Sequence, residues 1–166
     1  ISRGKPISSG IALGLLALTA DDITRINEMG QNAIYFCHDT TDDDVPMITA
    51  AAATVILNPQ MTSHASIAAK QLGRVSMCGC INMEINHAQR TVVATMTGNV
   101  WRLPVESVVT VDGTNGLLYR GDALQLFDRM YADSRTVLRW ADKYRNMKIY
   151  AEVATLDDTR DAHDLG

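Results

Sequence analysis

The apolar residues of this chain come in short runs, and that spacing limits the folds open to it. Residues 11–18, 33–37, 55–57, 75–78 and 108–111 are mainly apolar stretches of strand length, each bounded on at least one side by Gly, Asn or Asp. Runs this short read as strands, because a helix needs about ten residues with apolar positions recurring every three or four. Residues 91–95 add strict alternation, and Asp112-Gly113-Thr114-Asn115-Gly116 is a turn returning into 117–119. Gly14, inside the first run, marks a bulge or a close approach of backbone. Residues 4–10 read as turn-rich, and residues 21–30 as a short helix-like or turn segment. A helix is expected after residue 39: Thr40 or Thr41 caps it, Asp42, Asp43 and Asp44 load its first turn, and the alanines around Ala50 to Ala53 fill its body. Short strands broken by Gly turns, with few helices, describe a compact α/β domain ending near Arg120.

The composition agrees with an ordinary globular chain. Its 166 residues are 46% hydrophobic and 20% charged, enough chain to bury a core without staples. Lys+Arg 15 against Asp+Glu 19 gives a formal net charge of -4, which argues against nucleic acid as a partner. No apolar run approaches the ~18 residues of a membrane span, so no membrane partner is expected. The chain opens Ile1-Ser2-Arg3 without Met, and its last residues read as helix; it is expected to be a piece of a longer polypeptide.

Cys37, Cys78 and Cys80 are an odd set and read as buried, reduced thiols of a cytoplasmic protein. Cys78-Gly79-Cys80 lacks the second ligand pair that zinc needs, so no metal is expected in this chain. The run Asp42-Asp43-Asp44 reads as charge offsetting a helix dipole, since the spaced oxygen ligands of a calcium loop are missing.

Beyond residue 121 the pattern changes. Leu124, Phe127, Tyr131, Leu138 and Ala141 keep a three-four spacing among charges, which predicts one or two amphipathic helices across 122–146. Residues 147–153 look like a strand and 155–165 like the next helix, a βα unit cut off after its first round.

The candidate chemistry lies in Met61-Thr62-Ser63-His64-Ala65-Ser66-Ile67-Ala68-Ala69-Lys70-Gln71-Leu72-Gly73. From Ser63 this reads as a helix, with Thr62 or Ser63 as N-cap and Gly73 as its stop. His64 then falls in the first turn, where free N–H groups and the positive dipole end favour an anion. An imidazole of pKa near ~6.5 is largely uncharged at neutral pH and can act as a nucleophile. His64, supported by Thr62 and Ser63, is therefore the candidate phosphohistidine. His38 reads as a strand-end residue, His87 as a loop position, and His163 as the polar side of the last helix.

Pro59-Gln60-Met61-Thr62-Ser63-His64-Ala65 resembles the Gly-Gly-x-Thr-Ser-His-Ala signature of the phosphoenolpyruvate-utilising enzymes. Residues 4–14, 39–45 and 111–116 resemble the opening strand, first helix start and closing turn of that family's mobile domain. Gly79-Cys80 and the stretch from Trp140 to Ile149 resemble its pyruvate, phosphate dikinase branch. The resemblance implies a swivelling β/β/α phosphohistidine domain over 1–120, a linker helix region over 121–146, and over 147–166 the start of a truncated (β/α)8 phosphoenolpyruvate/pyruvate-binding barrel. It also implies a cycle. An ATP-binding domain phosphorylates His64 with inorganic phosphate as co-substrate, and the barrel passes the phosphoryl group to pyruvate, reversibly. Mg2+ is implied on the absent domains, as are homo-oligomers of the full enzyme and a cytoplasmic or, in a eukaryote, organellar location.

Four departures stand out. Pro59-Gln60 replaces Gly-Gly, Lys70 replaces an Arg, Glu106 replaces a turn glycine, and 150–154 depart from the barrel's first-strand pattern. Thr62 matches a threonine that some dikinases use as a regulatory phosphorylation site; capping the helix is the preferred role here. Two alternatives remain: a phosphoenolpyruvate synthase or phosphotransferase-system enzyme I carrier, or a non-catalytic interaction domain in which the histidine is idle.

Overall fold

A computed structural model of the chain describes residues 1–59 and 73–126, with 136–137, 139–141, 143–144, 146 and 159. The chain divides into two compact units, Ile1–Phe127 and Asp128–Gly166, and the architecture below is that of the first. Along the chain it runs β1 (Ser2–Arg3), β2 (Lys5–Ser8), β3 (Ile11–Ala17), α1 (Ala20–Glu28), β4 (Ala33–Cys37), α2 (Val45–Ala50), β5 (Ala53–Ile56) and β6 (Val75–Cys78). It continues through β7 (Met83–Asn86), β8 (Thr91–Met96), β9 (Asn99–Pro104), β10 (Val108–Asp112) and β11 (Leu117–Arg120). Among the described residues these strands form an eight-stranded sheet, ordered β1-β11-β10-β3-β4-β5-β6-β2, and a three-stranded sheet, β7-β8-β9. The middle of the large sheet, β3 to β6, is parallel. Its flanks and the whole small sheet are antiparallel.

Strand β4 shows how sequence sets the layers. It is buried at every position, as a central strand covered on both faces should be. Ala33, Tyr35 and Cys37 face Ile23 and Ile26 of α1 and Ile48 of α2. Ile34 and Phe36 face the other way, into a core shared with Met83, Val92, Ala94 and Leu103 of the small sheet. The period-two alternation of side chains thus puts helices on one face and the small sheet on the other, three layers in the order β, β, α. A fully buried Phe36 contributes about 1.5–3 kcal/mol of this by removal from water.

The expected strands 33–37 and 75–78 match β4 and β6, and the mixed α/β class holds. Gly14 does mark a close approach: a Cβ there would lie 2.2 Å from the Asn32 carbonyl oxygen, which accepts the Leu15 N–H at 2.8 Å. Elsewhere the structure corrects the reading. Residues 4–10 are not simply a turn, because Lys5–Ser8 pairs with β6 as an edge strand. The acidic run is a 3-10 turn, Asp42–Asp44, ahead of a six-residue α2. Thr41 does not cap that helix; its N–H and hydroxyl both donate to Asp44, at 2.7 and 3.0 Å. The alanines do not fill its body either, since Ala51 is already extended and Ala53 opens β5. A buried strand there outweighs alanine's helix propensity. Of the expected helix over 122–146, residues 124–126, 136–137 and 139–141 are helical. The strand 147–153 and the helix 155–165, Thr159 apart, lie outside the described residues.

Candidate functional site

The parallel strands end together on one side of the large sheet. There the ladder runs past the strands themselves: Leu57 N–H donates to the Cys37 carbonyl, Asn58 N–H to that of His38, and Gly79 N–H to that of Asn58, at 2.9, 2.9 and 3.0 Å. In open α/β sheets, ligands bind outside the carboxyl ends of parallel strands. The chain leaves β5 through Asn58 and Pro59 at this end, and it returns through Gly73 to begin β6. Thr62, Ser63, His64 and Lys70 fall between these points and lie outside the described residues, as does Gln60. What the structure supplies is the frame around that segment.

Two glycines bound the frame. Gly73 has φ +62° and Gly79 φ +74°, left-handed conformations that glycine takes without a steric penalty. A Cβ on Gly79 would also stand 3.4 Å from Pro59 Cα. Pro59, the departure from the family's glycine, therefore packs against a turn that carries no side chain.

The electrostatics of this end are mixed. His38 is exposed at the end of β4, its Nδ1 3.4 Å from the Asp39 carboxylate. The Cys37 thiol is pushed up to about 12 by burial and by the charges of Asp44 and Asp39. Burial also raises the Tyr35 hydroxyl, which neighbouring Cys37 and Asp44 reinforce while it donates to Asp44 at 3.1 Å. Burial raises the Cys78 thiol as well, and the nearby ammonium of Lys5 partly opposes this. Lys5 stands opposite Cys78 in the β2–β6 pairing.

The other histidines occupy separate places: His38 follows β4, His87 lies in the β7–β8 turn, and His163 is outside the described residues. All three cysteines are free and buried. Cys37 and Cys78 are separated by Ile56 of β5 in the sheet register. Two strand spacings are about 9–10 Å, beyond disulfide reach. Among the described residues no group of three or more His, Cys, Asp or Glu side chains could hold a metal ion, and no helix is long and apolar enough to cross a membrane.

Two polar constellations escaped the sequence reading. Asp22 accepts from Leu18 N–H and Thr19 N–H and pairs with Arg25 and Arg90. Thr19-x-x-Asp22 was its one signal, a capping box. Asn82 ties three separated segments together through its side chain, and nothing local announces it.

Comparison with known proteins gives this frame its context. Residues 29–116 match the PEP-utilising enzyme mobile-domain family. Pyruvate, phosphate dikinase of Clostridium symbiosum is 28% identical over 166 residues, all of this chain and 18% of that protein. That of Rickettsia typhi is 26% identical over 158 residues, 95% of this chain and 17% of its own. The chloroplastic pyruvate, phosphate dikinase of Flaveria pringlei is 28% identical over 166 residues, 17% of its length. The chain thus spans less than a fifth of these relatives. With the match running from the end of α1 to the β10–β11 turn, across the whole frame just described, the chain belongs to the PEP-utilising enzyme mobile-domain family.

Proposed function

We propose that this chain is the phosphoryl-carrier domain of a pyruvate, phosphate dikinase-like enzyme, with His64 as the phosphorylated residue. The observation that carries the reading is the family match across residues 29–116, a span that includes Thr62-Ser63-His64 in the connection from β5 to β6. A neutral imidazole nitrogen attacks the phosphorus of the donor; an N–P bond forms as the donor's P–O bond breaks. In the second half the enolate oxygen of pyruvate attacks, the N–P bond breaks, and phosphoenolpyruvate leaves. Thr62 and Ser63 cap the segment and bond the phosphoryl oxygens, while Lys70 supplies a positive charge.

On this reading 1–120 is the carrier, 121–146 the linker, and 147–166 the opening of the pyruvate-binding barrel. The nucleotide site lies on another domain of a longer, homo-oligomeric polypeptide, in the cytoplasm or an organelle. Mg2+, which neutralises phosphate charge when bound, belongs to those other domains. A tethered carrier meets both sites at high effective concentration when its linker spans them. Pro59-Gln60 favours one competitor, a domain that keeps the fold with an idle histidine, since proline removes an N–H where the family has glycine.

Incubating the full natural polypeptide with phosphoenolpyruvate labelled in its phosphoryl group separates the two. The carrier predicts an acid-labile, alkali-stable label that maps to His64 and disappears in His64→Ala. Absence of label, under conditions that charge a known dikinase, would sink it.

A further inference from the structure

Two buried hydroxyls stand side by side on the helix-side face of the large sheet. Thr54 of β5 and Ser76 of β6 are partners in the parallel register. Their strand neighbours Ala53, Val55, Val75 and Met77 all belong to the core under the small sheet. Alternation therefore turns Thr54 and Ser76 to the opposite face, the one that carries Ile56 and Cys78. Both residues are at 0% exposure. No protein group among the described residues bonds Thr54 Oγ1 or Ser76 Oγ.

A buried hydroxyl that bonds nothing is rare, because it has given up its bonds to water without replacement. Packing alone does not call for oxygen here: valine has the shape of threonine, and alanine lacks only the serine oxygen. Two such groups at facing register positions point to a partner that they share. Neighbouring strands lie about 4.8 Å apart. A water bonded to both hydroxyls at about 2.8 Å bridges any gap up to about 5.6 Å. It both donates and accepts, so it suits hydroxyls that also do both. An ion does not suit the pair, since two neutral oxygens offset little of the cost of stripping its water. On its other side Thr54 pairs with Tyr35, whose hydroxyl already donates to Asp44 at 3.1 Å.

The pair also has an approach from solvent. On the side away from β5, β6 pairs with the edge strand β2, and that ladder is irregular between Pro6 and Ser8, next to Ser76. Proline brings no N–H to the ladder, and a bulge leaves a residue unpaired. A cavity of about 580 Å3 opens at this edge, lined in part by Pro6, Ile7, Ser8 and Ser9. Local opening of one edge strand, rather than of the whole sheet, then admits water to Ser76.

We propose that Thr54 Oγ1 and Ser76 Oγ bind one internal water, which joins β5 to β6 on the helix-side face. Thr62-Ser63-His64 lies in the connection between these two strands, so the water ties together the two supports of that segment. The inference goes beyond the phosphoryl-carrier reading and does not rest on it.

A crystal structure of the full natural polypeptide, at a resolution that places ordered water, tests it directly. One density peak is expected within about 3.2 Å of both hydroxyl oxygens, and it should be gone in Thr54→Val/Ser76→Ala. Magnetic relaxation dispersion of water oxygen, which counts long-lived internal waters in solution, should fall by one water in the same double variant. Urea midpoints give an independent reading. Thr54→Val or Ser76→Ala alone leaves the water one hydroxyl short, so each should lower the midpoint. The double variant removes both bonds and the water with them, and should lose clearly less than the sum of the two. Hydroxyls bonded to each other or to a protein group, no peak, a peak that survives the loss of both hydroxyls, an unchanged water count, or additive midpoint losses would each overturn the proposal. None of these readouts involves His64, so an idle histidine would leave them interpretable.

Discussion

Asp22 is 2% exposed, a position where a carboxylate survives only if its oxygens are bonded. Burial alone would raise its pKa. Hydrogen bonds from Leu18 N–H, Arg90 and Thr19, and the charge of Arg90, outweigh burial and lower it. A folded pKa below the unfolded value of about 3.9 adds stability that is fully present above that value and lost as pH falls through the folded one. Asp22→Asn should therefore cost about 2–3 kcal/mol at pH 7, through the lost cap and charge-assisted bonds. Urea midpoints of parent and variant should converge as pH drops below about 4; a gap unchanged between pH 7 and pH 3 would show that the charge contributes nothing. Glu106 is legible in a different way. It stands where the resemblance puts a turn glycine, and its φ of 70° is the left-handed conformation that glycine takes without a steric penalty. Its carboxylate, 2.9 Å from Arg25, ties this turn to α1.

Among the elements, the parallel strands need backbone contact that only small residues permit. A Cβ on Gly14 would sit 2.2 Å from the Asn32 backbone oxygen. Because β3 and β4 are hydrogen-bonded there, neither strand can yield without breaking the ladder. Gly14→Ala should cost about 3 kcal/mol, at the upper end for overpacking. Gly98→Ala meets open space but keeps φ at +80°, so about 1 kcal/mol is expected, the left-handed penalty alone. Chemical denaturation of both variants measures the difference, and equal losses would refute the steric account. The β8–β9 hairpin around Gly98 also shows why the small sheet went largely unread. Its two-residue turn is Thr97-Gly98, with both φ angles positive, the geometry usually signalled by Asn-Gly or Asp-Gly. With Thr in the first place, nothing marked the return into β9.

At the scale of the molecule, the two faces of the large sheet are separate cores, and the cysteines report on both. Cys37 and Cys78 belong to the helix-side core, Cys80 to the core under the small sheet. Burial is the first cause of each raised thiol: Cys37 is raised to about 12, while Cys80 reaches about 11 although the nearby Ser2 side chain opposes the rise. At pH 8 roughly one Cys80 thiol in 1,000 is thiolate, so labelling must wait for the structure to open. If the layers open as one cooperative unit, all three thiols should react with a disulfide reagent at one slow rate in native buffer, and immediately in guanidinium. A faster Cys80 would reveal that the small sheet detaches first. This also separates structural thiols from reactive ones.

The sequence by itself determined what is local. Apolar runs of strand length marked β4 and β6, Gly14 announced a bulge or a close contact, and the Thr-Ser-His segment with its flanking motifs identified the family. Tertiary structure decided what depends on partners far along the chain. The 3-10 turn replaces an acidic helix start because Asp44 bonds back to Thr41 and Tyr35. The alanine run is split because Ala53 pairs with Ile34 on one side and Val75 on the other, which opens β5 there. Asp22 and Asn82 acquire their roles only when Arg90, Thr95 and Ser2 are brought beside them. Propensity and periodicity act over a few residues, whereas strand pairing and buried polar satisfaction are set by whatever the fold delivers from a distance.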